Sequence, residues 1–551
     1  MMAPSMAVSR SDRRHFLTAG IGSALPLAAC QSADHRAIAG GFTEVDFARG
    51  HLLQAAHSPG NWPAPTVNRR ADVLIAGGGV AGLAAARALR LQGVEDFALL
   101  ELEDEAGGNA RGAVVGGQPC PLGAHYLPVP GDDAPEVQDL LEEFGLRQRV
   151  SGRWVYDERH LCHSPQERLY INGAWQDGLL PTHGISTSTR AQYRAFSALV
   201  TQLQQQARWT IPIRNWPQAS VHKSLSAITF EAYLTQNGLT DRYLRWYLDY
   251  CCRDDYGAGI TTVSAWAGIH YFASRHGFSA PGAPVAEPDG LLTWPEGNAW
   301  LTRRLAAPLG QRLNAGRVVL RIANVKHGVE VDAYDTATQT VERWQARRAI
   351  VALPIFIAAR VVQNPPDWLL AAAAQTTYAP WLVANLHLDR PLQDRPGAPP
   401  SWDNVLYGDA ASAPGLGYVD ACHQNLQSVP GATVLTYYRA LGDLGLPGRR
   451  MLLATPWANW RDAILAELSV PHPDLAARLT RIDITRYGHA MTIPTPKDLS
   501  KIGLMPPYHL NKQLSKQYRF THTHERLNFA HSDWSGYSIF EEAFTQGHWA
   551  A

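Results

Sequence analysis

Three glycines and one acid supply the first chemical signal in the chain. Gly77, Gly79 and Gly82 follow the spacing G-x-G-x-x-G, and Glu101 stands about 20 residues further on. Such a set suits the diphosphate of a dinucleotide. The first glycine permits a tight turn, the second lets backbone approach the pyrophosphate, and the third lets a helix lie close to a strand. The helix amino end then presents free N–H groups and a partial positive charge. Glu101 offers paired acceptors to a ribose diol and would repel a 2′-phosphate. Glu103 is the other acid nearby, but it falls past the strand end.

Those residues need a strand, a turn and a helix to hold them. In ADVLIAGGGVAGLAAARALRLQG, residues 72–76 are a strand-like apolar run, three glycines follow, and helical periodicity begins at Val80. After Gly93, residues 97–102 read as a second strand, which completes a β-α-β unit. Further along, residues 188–207 and 230–249 read as helices. RVVLRIANV, VEVDAYD, RRAIVALP, residues 381–388 and residues 433–438 read as strands. LNFAHSDWSGYSIFEEAFTQGHWAA closes the chain as strand, loop and helix, and no internal repeat is present.

The bulk composition excludes several classes. The 551 residues carry 49 basic and 49 acidic side chains, so no charge excess marks a nucleic-acid partner. The 17 Trp and 20 Tyr suit a large aromatic-lined pocket or, equally, a large core. Cys120, Cys162, Cys251, Cys252 and Cys422 follow no disulfide framework or zinc spacing. No metal is expected; His522 and His524 read as a solvated pair at strand spacing.

Beyond the glycines, LLELEDEAGGNARG resembles the second motif of the flavin-containing amine oxidase family, with Gly107, Gly108 and Arg111 matching and Asn109 departing. Pro121-Leu122-Gly123-Ala124-His125 resembles the segment that runs under the flavin. GLLTWPEGNAWLTRRLA resembles the family's PxGG-type loop and helix, with Asn298 in place of the second glycine. Trp534-Ser535-Gly536-Tyr537 resembles the segment that sets a tyrosine over the flavin and starts the final helix. The resemblance implies an α/β protein: a Rossmann-type FAD-binding domain with a discontinuous α+β substrate domain. It divides the chain into FAD-binding segments 71–150, 290–376 and 481–551 and substrate segments 151–289 and 377–480. It implies non-covalent FAD held by Gly77, Gly79, Gly82, Glu101, Gly108, Arg111, Gly123, Val319, Asp533 and Gly536.

The implied reaction is hydride removal from an amine or polyamine-like substrate to flavin N5. Tyr537 is the implied aromatic wall. Tyr487, in RYGHAM, is the candidate for a second wall or else a core tyrosine. His125 or His489 would accept a proton or else be structural. The lysine that the family commonly carries near N5 has no counterpart in residues 378–385, so either a quinone or oxygen remains open as electron acceptor. Two other readings stand beside the first: a desaturase or protoporphyrinogen-oxidase-like dehydrogenase of an apolar substrate, and a non-redox FAD-binding envelope assembly protein.

The amino terminus fits a folded flavoprotein bound for export. Arg13-Arg14-His15-Phe16-Leu17 resembles a twin-arginine signal, whose translocase carries folded cargo. Leu27-Ala28-Ala29-Cys30 resembles a bacterial lipobox. Residues 1–29 are thus expected to be a signal peptide and 30–70 a linker tethered to membrane lipid through Cys30. The implied location is the periplasmic side of a bacterial envelope, with Gln31 favouring the outer membrane. A plain signal peptide with an incidental cysteine is the alternative.

Overall fold

The unbroken apolar run of Val73–Ala76 is buried on both faces and becomes an inner strand of a six-stranded sheet in the computed structural model. The structure describes residues 38–43, 47–55, 62–213, 220–275, 277–282, 290–409, 411–425, 429–497 and 522–551. The expected signal peptide, the arginine pair and Cys30 lie outside the described residues.

The six strands lie in the order Leu313–Asn314, Phe97–Leu100, Val73–Ala76, Arg348–Val351, Leu527–Phe529 and His522–His524. All but the last pairing are parallel. The order in which the chain adds strands reverses at Val73–Ala76, and a crevice opens there at the carboxyl ends, where ligands of such sheets bind. Val73 and Ile75 face the helix Val80–Leu91, while Leu74 and Ala76 face a four-stranded sheet. That second sheet comprises Arg317–Val325, Gly328–Asp335, Thr340–Ala346 and Val67–Arg70. The closing helix Phe540–Ala550 lies against Val80–Leu91, and a Cβ on Gly547 would come within 2.0 Å of the Ala81 carbonyl oxygen.

An eight-stranded sheet forms the rest. Its order is Ala39–Phe42, Leu479–Ile493, Thr377–Leu388, Thr433–Ala440, Tyr418–Asp420, Asp403–Leu406, Glu167–Ile171 and Ala174–Asp177. The helices Thr187–Gln206, Arg242–Tyr256 and Ala265–Ala273 share a core with one face of it. The helix Trp457–Leu468 covers the other. The class is mixed α/β, as expected.

Three sequence expectations need correction. The described parts of 30–70 are not a bare tether. Ala39–Phe42 pairs in parallel with Leu479–Ile493, and Val67–Arg70 joins the four-stranded sheet. Four-residue strands carry no periodicity to read, and Gly40 is needed because a Cβ there would meet the Ile482 carbonyl oxygen at 1.8 Å. Residues 481–493 belong to the eight-stranded sheet, not to the dinucleotide half, because the strand from Leu479 runs unbroken to Ile493. The single helix expected over 230–249 is two, Phe230–Gln236 and Arg242–Tyr256. Gly238 turns the chain at φ +68°, and the Asp241 carboxylate caps the second helix by accepting from the Tyr243 and Leu244 amides.

The contact at Gly547 sets a testable expectation. Replacing it with valine forces a methyl-bearing carbon into the Ala81 carbonyl and is expected to cost about 1–3 kcal/mol. A melting temperature unchanged by Gly547→Val would contradict this packing.

Candidate active site

The crevice at the carboxyl ends of the parallel strands is a cavity of about 340 Å3. Gly77, Gly79, Glu101, Gly108, Val319 and Asp533 all border it. The glycines have separable reasons. Gly77 holds φ +103°, and a Cβ on it would lie 2.2 Å from the Ala352 carbonyl oxygen. A Cβ on Gly82 would lie 1.8 Å from the Gly77 carbonyl oxygen, so Gly82 packs the helix and does not border the cavity. A Cβ on Gly79 would meet nothing nearer than Gly108 Cα at 4.0 Å. The protein itself therefore does not demand a glycine at 79; a ligand close to the backbone would. The amides of Val80 and Ala81 open the helix at that point, where no intrahelical acceptor exists for them.

Glu101 is buried, and its carboxylate is preset. Oε2 accepts from the Gly78 amide at 2.7 Å and Oε1 from the Glu103 amide at 2.9 Å. Burial pushes its pKa up, opposed by those two hydrogen bonds and by Arg111, and the net shift is upward. Each oxygen keeps a lone pair for a ribose hydroxyl. Glu103 instead turns to Arg111, 3.7 Å away. Arg111 Nε donates to the Gly108 carbonyl at 3.2 Å, and Arg111 braces the loop rather than bordering the cavity.

At the opposite end, Asp533 is buried beneath the final helix. Its Oδ2 accepts from the Ile355 amide and the Tyr378 hydroxyl, and Oδ1 faces His531 Nδ1 at 3.0 Å. Burial alone would raise its pKa, but His531, Tyr378 and the Ile355 amide outweigh that and hold it low. Ser538, Ile539 and Phe540, which lead into the final helix, border this cavity and the next.

The next cavity, about 160 Å3, continues past Asn109, Ala124 and Asn298. Gly123, His125, Trp381, Tyr438 and Tyr487 wall it. Trp381 and Tyr487 are register partners on adjacent strands. The Tyr487 hydroxyl donates to the Leu122 carbonyl at 2.9 Å and that of Tyr438 to the Gly123 carbonyl at 3.0 Å, so both rings are fixed. His125 stacks on Tyr438 with centroids 4.5 Å apart. Burial lowers the His125 pKa to about 4, which keeps the imidazole neutral at pH 7. His489 borders the dinucleotide cavity, where it stacks on Phe356.

Two expected residues stand elsewhere. Tyr537 is 1% exposed and borders none of these cavities. Its hydroxyl donates to Asp255 and accepts from Arg275, and its ring packs on Tyr256 and His270. The chain enters the final helix three residues later than expected, at Phe540, which carries Tyr537 into the core behind the chamber wall. Gly536 supplies the φ +71° of that entry and lies outside the dinucleotide cavity.

The small cavity opens into a chamber of about 400 Å3, with His125, Tyr126, Asp254, Arg275, Tyr438 and Glu541 common to both. Trp402, Tyr247, Tyr250 and Tyr271 add aromatic wall. Six carboxyl groups border this chamber: the exposed Asp132, Asp133 paired with Arg208, and Glu167, Asp254, Asp403 and Glu541. Burial pushes Glu167 up to about 6 and Asp254 and Glu541 up to about 7, and it pushes Asp403 well above the usual range. Arg275, the one arginine that borders the chamber among the described residues, is already paired with Asp255 at 3.1 Å. Sequence reasoning missed these acids. Glu167, Asp254, Asp403 and Glu541 come from four distant segments, and no spacing joins them.

Residues 80–482 match the family of flavin containing amine oxidoreductases. The chain belongs to that family. It is an FAD-dependent oxidoreductase of mixed α/β fold. Over 302 residues it is 26% identical to an L-amino acid dehydrogenase of Synechocystis sp., a match that spans 54% of this chain and 58% of that protein. Among solved structures, putrescine oxidase bound to putrescine is similar in fold, with a TM-score of 0.63 at 16% identity over 87% of this chain and 98% of that one. Cyclohexylamine oxidase from Brevibacterium oxydans has a TM-score of 0.60 at 18% identity over 87% and 97%.

The cofactor cavity yields one direct expectation. Glu101→Ala removes the acceptor aimed at the ribose and frees the Gly78 and Glu103 amides. FAD affinity should fall about tenfold or more, the loss of ~1.4 kcal/mol or greater expected for hydrogen bonds to a charged group. Flavin titration of the apoprotein measures it.

Proposed function

We propose that the enzyme oxidises a cationic amine, with a diamine or polyamine as the preferred substrate. The observation that carries this reading is that four of the six carboxyl groups at an aromatic chamber, Glu167, Asp254, Asp403 and Glu541, sit in surroundings that raise their pKa values, while Arg275 is already paired with Asp255. Buried acids with no counter-ion are costly, and each stays partly protonated until a cation arrives. A chamber built for an apolar substrate would have no use for them.

Bound FAD supplies a two-electron acceptor for the hydride on the carbon next to nitrogen. The chain's residues do the rest. Trp381, Tyr438 and Tyr487 form a slot that orients the amine beside the cavity that they share with the helix entrance at Ser538–Phe540. Asp254 and Glu541, bordering both chambers, are the groups placed to take the ammonium proton, which frees the nitrogen lone pair. Glu167 and Asp403 border only the larger chamber and would hold a second ammonium of a longer substrate. Neutral His125 offers an imidazole acceptor next to Tyr438. Among the described residues no lysine borders either chamber, and we read the electron acceptor as a quinone rather than oxygen. The amino-terminal motifs support the further reading of a lipid-anchored protein at the periplasmic face of a bacterial envelope.

Anaerobic mixing with a diamine, a monoamine and an apolar dihydro-compound tests the reading. Bleaching of the flavin by the diamine, slower with the monoamine, is the expected result; bleaching by the apolar compound alone would overturn it. Asp403→Asn and Glu167→Gln are each expected to raise KM for the diamine about tenfold, roughly 1.4 kcal/mol, with a smaller effect on kcat. The pH dependence has a definite sign. A carboxylate attracts a cation only when ionised, so KM should fall as pH rises through about 6 to 7, where Glu167, Asp254 and Glu541 ionise. The same raised pKa values mean that the ligand-free protein loses stability as pH rises from the ordinary carboxyl range, about 4 to 4.5, toward 7. Amine binding should restore it. A KM that rises with pH over this interval would contradict the assignment.

A further inference from the structure

Two adjacent acids near the end of the helix Arg242–Tyr256 have opposite fates. Asp254 borders both the inner cavity and the chamber and makes no ion pair among the described residues. Asp255 stands roughly 100° further round the helix. It borders only the inner cavity and is paired with Arg275 at 3.1 Å. Arg275 follows the helix Ala265–Ala273 and borders both spaces. No other arginine and no lysine among the described residues borders either one.

The guanidinium is held firmly. Nη1 donates to the Tyr271 carbonyl at 2.9 Å, and Nη2 donates to Asp255 Oδ2 and to the Tyr537 hydroxyl. Tyr537 passes its own hydroxyl hydrogen to the same Asp255 oxygen. That tyrosine comes from the approach to the final helix, so three elements far apart in the chain meet at one carboxylate. Asp255 and Tyr537 are buried, which leaves the pair little screened by water. The pair is neutral as a unit, and its two charges act on their neighbours in opposite senses. Burial is the main reason that Asp254 and Glu541 are pushed up to about 7; beyond it, Asp255 raises both and Arg275 lowers both. Without Asp255, an uncancelled positive charge would stand where the ammonium of a substrate has to enter.

We propose that Asp255 determines the charge specificity of the enzyme: by cancelling the one guanidinium at these cavities, it favours amines that are cationic throughout over amines that also carry a carboxylate. This assignment rests on the amine reading above and deepens it. A guanidinium is the natural partner of a substrate carboxylate. Here Asp255 already occupies it, while the adjacent Asp254 is left for an ammonium. Discrimination of this kind comes from disfavouring the wrong partner as much as from attracting the right one. It also gives Tyr537 a place: its hydroxyl bridges the two charges from behind the wall instead of facing the substrate.

The test is anaerobic calorimetric titration of the dithionite-reduced, FAD-loaded enzyme, in which binding is not followed by turnover. The probes are putrescine and γ-aminobutyrate, similar in length, with a carboxylate in place of one ammonium in the second. The wild type is expected to bind putrescine more tightly. Asp255→Asn removes a negative charge and should move the ratio of the two dissociation constants toward γ-aminobutyrate by about tenfold or more. Arg275→Gln removes the positive charge and should move it the other way by a similar factor; it also serves if Asp255→Asn does not fold. Tyr537→Phe keeps both charges and should leave the ratio within about threefold, which separates charge from packing. A ratio that moves by less than about threefold in the charge variants, that moves the same way in both, or that moves as far in Tyr537→Phe would overturn the proposal. So would a wild type that prefers γ-aminobutyrate or binds neither probe. Bleaching of the oxidised flavin tests the amine reading separately. An enzyme that no amine bleaches, but whose binding ratio shifts as stated, loses the amine reading and keeps the charge assignment; bleaching by putrescine with an unmoved ratio does the reverse.

Discussion

Between the Gly77 carbonyl and Gly82 there is no room for a side chain, and that contact decides how the first helix leaves the sheet. The helix axis is held so close to the strand that its free amides open onto the crevice. The same helix then receives the final helix at a second contact without room for a side chain, Ala81 against Gly547. Two glycines more than 400 positions apart thus bring Ser538–Phe540 to the cavity that starts at Gly79. The chamber, its aromatic walls and the buried Asp533 are all placed relative to that pair of helices.

The eight-stranded sheet applies a different constraint, the alternation of side chains. One face of Glu167–Ile171 and Asp403–Leu406 puts carboxyl groups into the chamber, and the other puts Arg168 and Asn404 into a separate cavity. Glu167, Asp254, Asp403 and Glu541 make no ion pair among the described residues, and burial raises their pKa values. Under the proposed amine reading, that destabilisation of the empty chamber is relieved by an incoming cation, a case of function competing with stability.

Much of the dinucleotide half was legible in the residues. The strand Val73–Ala76, the helix from Val80, the strand from Phe97 and the acid at 101 are local features, readable because turn, propensity and periodicity all agree over a short stretch. Tyr487 and His125 do border the inner chamber, whereas Tyr537 is turned into the core by an entry to the final helix that no local signal marks. Ala39–Phe42 was unreadable as a strand because its only reason to be extended is its partner, Leu479–Ile493.

The chain's own order of residues therefore pointed to a dinucleotide site around Gly79 and Glu101 and to a place among flavin-dependent oxidoreductases. Those are properties of contiguous segments, where hydrogen-bond geometry and steric room are set by near neighbours. Tertiary structure alone decided which side chains line the chamber. Glu167, Asp254, Asp403 and Glu541 converge from segments hundreds of residues apart, and only the register of distant strands and the packing of two helices put them into one chamber.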